Sequence, residues 1–174
     1  MIGVIWILAS GALAQAAPAA MPHAPAHVIA IHADLESPAA SRAMVVLRAF
    51  VERHPGVAAI EFHLAPPRGE LRDVDRAVLA AQAQKTGLEM AELILANPGR
   101  RAAEDLVAMA RQLHLDESSF RKALTGAGVE HAATADLAAA AAAMPPRPVT
   151  VAIDGQPLNA ALTLADLESR LIVR

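Results

Sequence analysis

Ser37-Pro38 is the most suggestive pair in the chain. A serine before a proline is the ordinary start of an α-helix, with the hydroxyl capping the first turn and the ring at the first helical position. The same hydroxyl can also point into a ligand groove and donate a hydrogen bond there. It is too weak an acid to ionise without a dedicated base. A second group is His23, His27 and His32, four and five residues apart with Met21 nearby. Histidine and methionine together can hold zinc or copper. These three straddle a leader and a strand, however, and no acidic or thiol ligand stands at a diagnostic spacing, so no metal ligand is assigned. Asp73, Asp75, Glu89, Glu92, Glu104 and Asp105 read as solvated faces of helices, without the pairing that acid–base catalysis requires. Pro145, Pro146 and Pro148 close an alanine-rich segment and lead into a strand. Cysteine is absent from all 174 residues. Exchange between thiols and disulfides needs a thiolate and a second sulfur to recycle it, so that chemistry is excluded.

Composition narrows the partners. The formal charge is −3, so no basic field exists to hold a phosphate backbone, and at 2% aromatic residues there is little for bases to stack on. Nucleic acid is therefore not expected. Hydrophobic residues make up 55%, but much of that is alanine, so Leu, Ile, Val and Met must build the core. The length suits one domain.

Residues 1–14, MIGVIWILASGALA, form an apolar run ending in small-x-small, as an export signal does, and are too short for a stable membrane span of about 20 residues. Cleavage there would remove the only tryptophan, Trp6. Residues 15–26 are rich in Ala and Pro and read as a flexible leader. The expected address is the periplasm or the exterior of a bacterium.

The remainder reads as alternating elements. Residues 27–33 (HVIAIHA) are a buried strand and Pro38 opens a helix ending near His54-Pro55-Gly56. Its apolar face carries Ala43, Met44, Leu47, Phe50 and Val51. Residues 57–64 form a second strand, closed by Pro66-Pro67. The spacing predicts helices over 71–86, 88–96, 101–113 and from an Asp116 cap to Leu124, then an alanine-rich helix over 129–144. Residues 149–153 are a strand, Asp154-Gly155 a hairpin turn and 156–161 its partner. Thr163, with Asp166 three residues on, caps a last helix bearing Leu164, Leu167 and Leu171. The order is β-α-β, a helical block, then β-β-α: an α/β fold with a helical insertion over about 70–143.

That order, with its local sequence, resembles the DsbA-like disulfide oxidoreductases of thioredoxin fold across residues 27–173. The stretch Asp34-Leu35-Glu36-Ser37-Pro38-Ala39-Ala40-Ser41-Arg42 stands where the family has C-P-x-C at a helix start. The run LVAMARQLHLDESSFRKAL (106–124) is of the family's helical type. Arg147-Pro148-Val149 occupies the place of the family's cis-proline, and Asp154-Gly155-Gln156-Pro157-Leu158 that of its hairpin. The resemblance implies a domain over 27–174 in which Ser37 replaces the attacking cysteine and Ala40 the resolving one. It implies a groove between residues 37–40 and 147–149 that takes an extended peptide, with no cofactor. Kappa-class glutathione transferases share the fold and carry Ser-Pro at the same helix start, which leaves a glutathione-dependent activity through Ser37 as an alternative. Metal handling by the N-terminal histidines is another.

Overall fold

The computed structural model describes residues 24–67, 70–126, 134, 137, 149–158 and 162–172. The expected signal and most of the leader, all of the alanine-rich helix but Thr134 and Leu137, and Arg147 and Pro148 lie outside these residues.

Strand β1 (His27–Ala33) is the centre of the molecule. Its β-branched residues favour extended backbone, and alternate side chains Ile29, Ile31 and Ala33 are fully buried on one face. Helix α1 (Pro38–Arg53) follows, and strand β2 (Ala58–Leu64) returns parallel to β1. After four helices among the described residues comes β3 (Val149–Ile153), antiparallel to β1 on its other side, and then β4 (Gln156–Pro157) at the edge. The sheet order is β2-β1-β3-β4. Asp154 and Gly155, both at positive φ, make the expected turn. The β4 ladder is shorter than the expected 156–161: two residues pair, and Leu158 adds a bond from its N–H to the Val151 carbonyl at 2.8 Å. Residues 159–161 fall outside the described part.

The described part of the helical insertion includes α2 (Asp73–Gln82), α3 (Gly87–Ala96), α4 (Ala103–Gln112) and α5 (Glu117–Thr125), and the C-terminal helix α6 (Leu164–Leu171) packs on α1. The caps read from the sequence are present. Asp116 accepts from the Ser119 N–H at 2.7 Å and Thr163 from the Asp166 N–H at 3.1 Å. Helix α2 stops at Gln82, short of the expected 86, while α4 ends at Gln112, within one residue of the expected 113. The backbone turns left-handed at Lys85 (φ 66) and His114 (φ 56), and the N–H groups of Thr86 and Leu115 fold back onto the carbonyls of Ala81 and Ala110. Neither turn is marked by a glycine.

One hydrophobic cluster runs from the sheet through α1 into the insertion. Phe50 on α1 and Phe120 on α5 are its largest fully buried side chains. Either one replaced by Ala would cost about 3–5 kcal/mol. The rest of the bulk is aliphatic, as the scarcity of aromatics requires.

Candidate functional site at the start of helix α1

Parallel strands β1 and β2 finish at the same end of the sheet, and antiparallel β3 begins there: Ala33 is registered with both Leu64 and Val149. A four-residue loop then carries the chain into α1. Open sheets of this kind take ligands beyond the carboxyl ends of their strands.

Ser37 is the N-cap of α1, with extended backbone (φ −81, ψ 126), and its Oγ accepts a hydrogen bond from the Ala39 N–H at 3.2 Å. Pro38 follows at the first helical position, exposed to solvent. Ser37 and Ala39 are half-buried, whereas Ala40 has no accessible surface. Its methyl group has joined the core under the helix start. One turn on, Ser41 Oγ donates to the Leu95 carbonyl at 3.1 Å and ties α1 to α3. Val149, half-buried, lies beside the site at the start of β3.

Around this helix start the structure gathers charges that the sequence reading left dispersed. Asp34 Oδ1 accepts from the Glu36 N–H at 2.9 Å, and the Asp34 carbonyl accepts from the Ser37 N–H at 2.9 Å, which closes the loop into a turn. Arg72, the N-cap residue of α2, reaches the same loop. Its Nη2 donates to Asp34 Oδ1 at 2.6 Å, its Nη1 to Glu36 Oε2 at 2.6 Å and its Nε to Asp75 Oδ2 at 3.0 Å. Arg101, just before α4, holds the other Glu36 oxygen at 3.1 Å. Two guanidinium groups from the insertion thus grip the loop that feeds Ser37.

Asp75 corrects the reading of the helix carboxylates as solvated. It is fully buried, the one buried polar or charged residue among those described. It survives there because Oδ2 also accepts from the Arg72 backbone N–H at 2.9 Å, so cap and ion pair coincide. Burial pushes the Asp75 carboxyl above its ordinary range, while the Arg72 contacts pull the other way. Burial works against the charge on Arg72, but Asp75 and then Asp34 outweigh it and hold the guanidinium above its usual range. The Arg72–Asp75 spacing before an apolar run was the one visible signal. The bonds to Asp34 and Glu36, 36 to 38 residues away in sequence, left none.

The N-terminal histidines do not converge. His27 and His32, five apart on β1, project from opposite faces of the sheet, and His27 Nδ1 stands 2.7 Å from Asp154 Oδ2. His23 lies outside the described residues. Among those described, no group of three or more His, Asp or Glu residues is arranged to hold a metal ion, and no helix is long and apolar enough to cross a membrane.

No family model and no curated protein matches the sequence. Solved structures do match the fold. A thioredoxin-like oxidoreductase from Silicibacter pomeroyi superposes with a TM-score of 0.68 at 17% identity, over 85% of this chain and 86% of that one. A thiol–disulfide exchange protein from Wolbachia pipientis gives 0.72 at 12% identity, over 86% and 82%. A putative protein-disulfide isomerase from Pseudomonas syringae gives 0.65 at 17% identity, over 86% and 94%. At such identities the likeness is one of fold: the chain has the DsbA-like thioredoxin fold, without any sulfur from cysteine at its helix start.

Proposed function

We propose that this DsbA-like thioredoxin fold works as an exported, non-catalytic module that holds an extended peptide, or a segment of a partner protein, at the start of α1. The observation that carries the reading is the state of the helix start. On the reading that Ser37 and Ala40 occupy the places of the two thiols of a DsbA-like site, what supports it is that Ser37 is a hydroxyl engaged as a cap and Ala40 a methyl group sunk into the core at the start of a helix in a thioredoxin fold. Such a site retains shape and loses reactivity. The groove would run from residues 37–40 to residues 147–149, where backbone groups at the head of β3 offer an edge for strand-like pairing. Export rests on the apolar segment 1–14 and its small-x-small end.

The test is a thermal-shift titration with carboxymethylated insulin B chain, an extended peptide without free thiols. A ligand that binds only the folded state raises the melting temperature. We expect a rise in the wild type that disappears in Ala39→Arg, which lays a long side chain across the helix start. No rise, or an equal rise in both proteins, overturns the proposal. A rise with glutathione that vanishes in Ser37→Ala replaces it with the glutathione-dependent alternative.

A further inference from the structure

The two edges of the sheet are built differently. On one side, β4 is two residues long and contains Pro157, which has no N–H to offer a neighbour. On the other, β2 runs for seven residues with neither proline nor lysine, and among the described residues no strand lies beyond it. The bonds that bracket the β1–β2 ladder fix which backbone groups of β2 turn outward. The His27 N–H donates to the Val57 carbonyl at 3.0 Å, and the Ala65 N–H donates to the Ala33 carbonyl at 2.9 Å. Bonding residues alternate along a parallel pair, so Val57, Ala59, Glu61, His63 and Ala65 face β1. Ala58, Ile60, Phe62 and Leu64 therefore direct both N–H and C=O away from β1. The side chains of Ile60 and Phe62, registered with Ile29 and Ile31 on the core face, are only half-buried at this edge.

We propose that a second copy of this chain pairs with this edge, β2 antiparallel to β2 about a two-fold axis, so that the two sheets become one. The proposal is independent of peptide binding at α1. Both copies present the same row of donors and acceptors, which an antiparallel two-fold makes self-complementary. The charge pattern then selects the register. An axis through Glu61 would set the Glu61 carboxylates of the two copies opposite one another, and like charges so placed are destabilising. An axis through Phe62 instead sets Glu61 of each copy opposite His63 of the other, where an imidazole N–H can donate to the carboxylate. The same register places Phe62 opposite Phe62 and Ile60 opposite Leu64, all residues whose backbone turns outward, so these become the bonded pairs. Glu61 and His63 then fall at the non-bonded position, where Cα atoms approach to about 4.5 Å and side chains meet most closely. Within one copy the two side chains stand 3.8 Å apart, longer than a hydrogen bond, and Glu61 is exposed. A seven-residue edge is a small interface, so the dimer is reversible and depends on concentration.

The experiment is sedimentation equilibrium of the full chain over a range of concentrations. We expect a reversible equilibrium between monomer and dimer. Phe62→Pro removes an outward N–H from each copy at the axis while leaving the bonds to β1 in place, and should weaken the dimer at least about tenfold. Glu61→Arg, at an exposed position, should weaken it about threefold or more, and decides the matter should Phe62→Pro fail to fold by circular dichroism. The absence of cysteine from the chain lets the register be read directly. Bonded antiparallel neighbours have Cα atoms about 5.5 Å apart, within reach of a disulfide. Phe62→Cys should therefore oxidise to a covalent dimer faster than Glu61→Cys does. A monomer at every concentration overturns the proposal. So does a dimer that folded Phe62→Pro and Glu61→Arg both leave intact, or faster crosslinking through Glu61→Cys.

Discussion

Among the described residues, Asp75 is the ionisable one whose loss should carry most consequence. It is buried, and its partner Arg72 is shared with Asp34 and Glu36, so removing the carboxylate strands part of a guanidinium as well as an α2 cap. Breaking such a pair from one side costs about 3–5 kcal/mol. Because Arg72 keeps two other carboxylates, we expect Asp75→Ala to fall near about 3 kcal/mol in urea unfolding. Asp73→Ala, two residues away and exposed, should stay within about 0.5 kcal/mol. Legibility differs in the same way between residues. Ser37 could be read as a cap because its cause is local, a hydroxyl and the proline after it. Asp75 could not be read as buried, since its burial depends on where Asp34 arrives through the fold.

Among the elements, α4 and α5 are joined by a surface lattice rather than by burial alone. Arg111 donates to Glu117 at 2.6 and 2.9 Å, and Arg121 donates to both Glu117 and Glu104. These hydrogen bonds, from Arg111 first and then Arg121, hold the Glu117 carboxyl down at about 2 from an ordinary 4.5. A carboxyl lowered in the folded state stabilises it fully above the unfolded value and loses that contribution as the pH falls toward the folded one. The urea midpoint of the wild type should therefore decline between pH 4.5 and about 2, and Glu117→Gln should flatten that decline. Salt at about 1 M should flatten it too, because these groups are solvent-exposed and the screening length shrinks to about 3 Å. The elements themselves were largely legible: apolar periodicity located α1 through α5, and Asp116 and Thr163 announced their helices. The end of α2 was not, since left-handed Lys85 carries none of the composition that marks a helix stop.

At the level of the whole molecule, the order β-α-β, helices, β-β-α was enough to reach the fold, because a parallel crossover and a returning hairpin around one central strand leave few alternatives. The charged collar around the site was hidden, as it joins segments from the sheet and the insertion. If the architecture is intact apart from its sulfurs, restoring them should restore reactivity. Ser37→Cys with Ala40→Cys puts two thiols at a helix N-terminus, where the thiolate is favoured. We expect the double variant to reduce insulin and the wild type to do nothing. An oxidised double variant that fails to form an internal disulfide, judged by mass spectrometry, counts against this view of the site.

Arg72 and Arg101, both from the insertion, hold Glu36, the residue before Ser37. For the insertion to swing away from the sheet, both forks on Glu36 would have to part. Were the proposed peptide site to exist there, a surface laced in this manner would meet its ligand already shaped, and recognition would resemble a key entering a rigid lock: quick to engage, accompanied by little ordering of the chain, and selective for sequences that lie flat without coaxing.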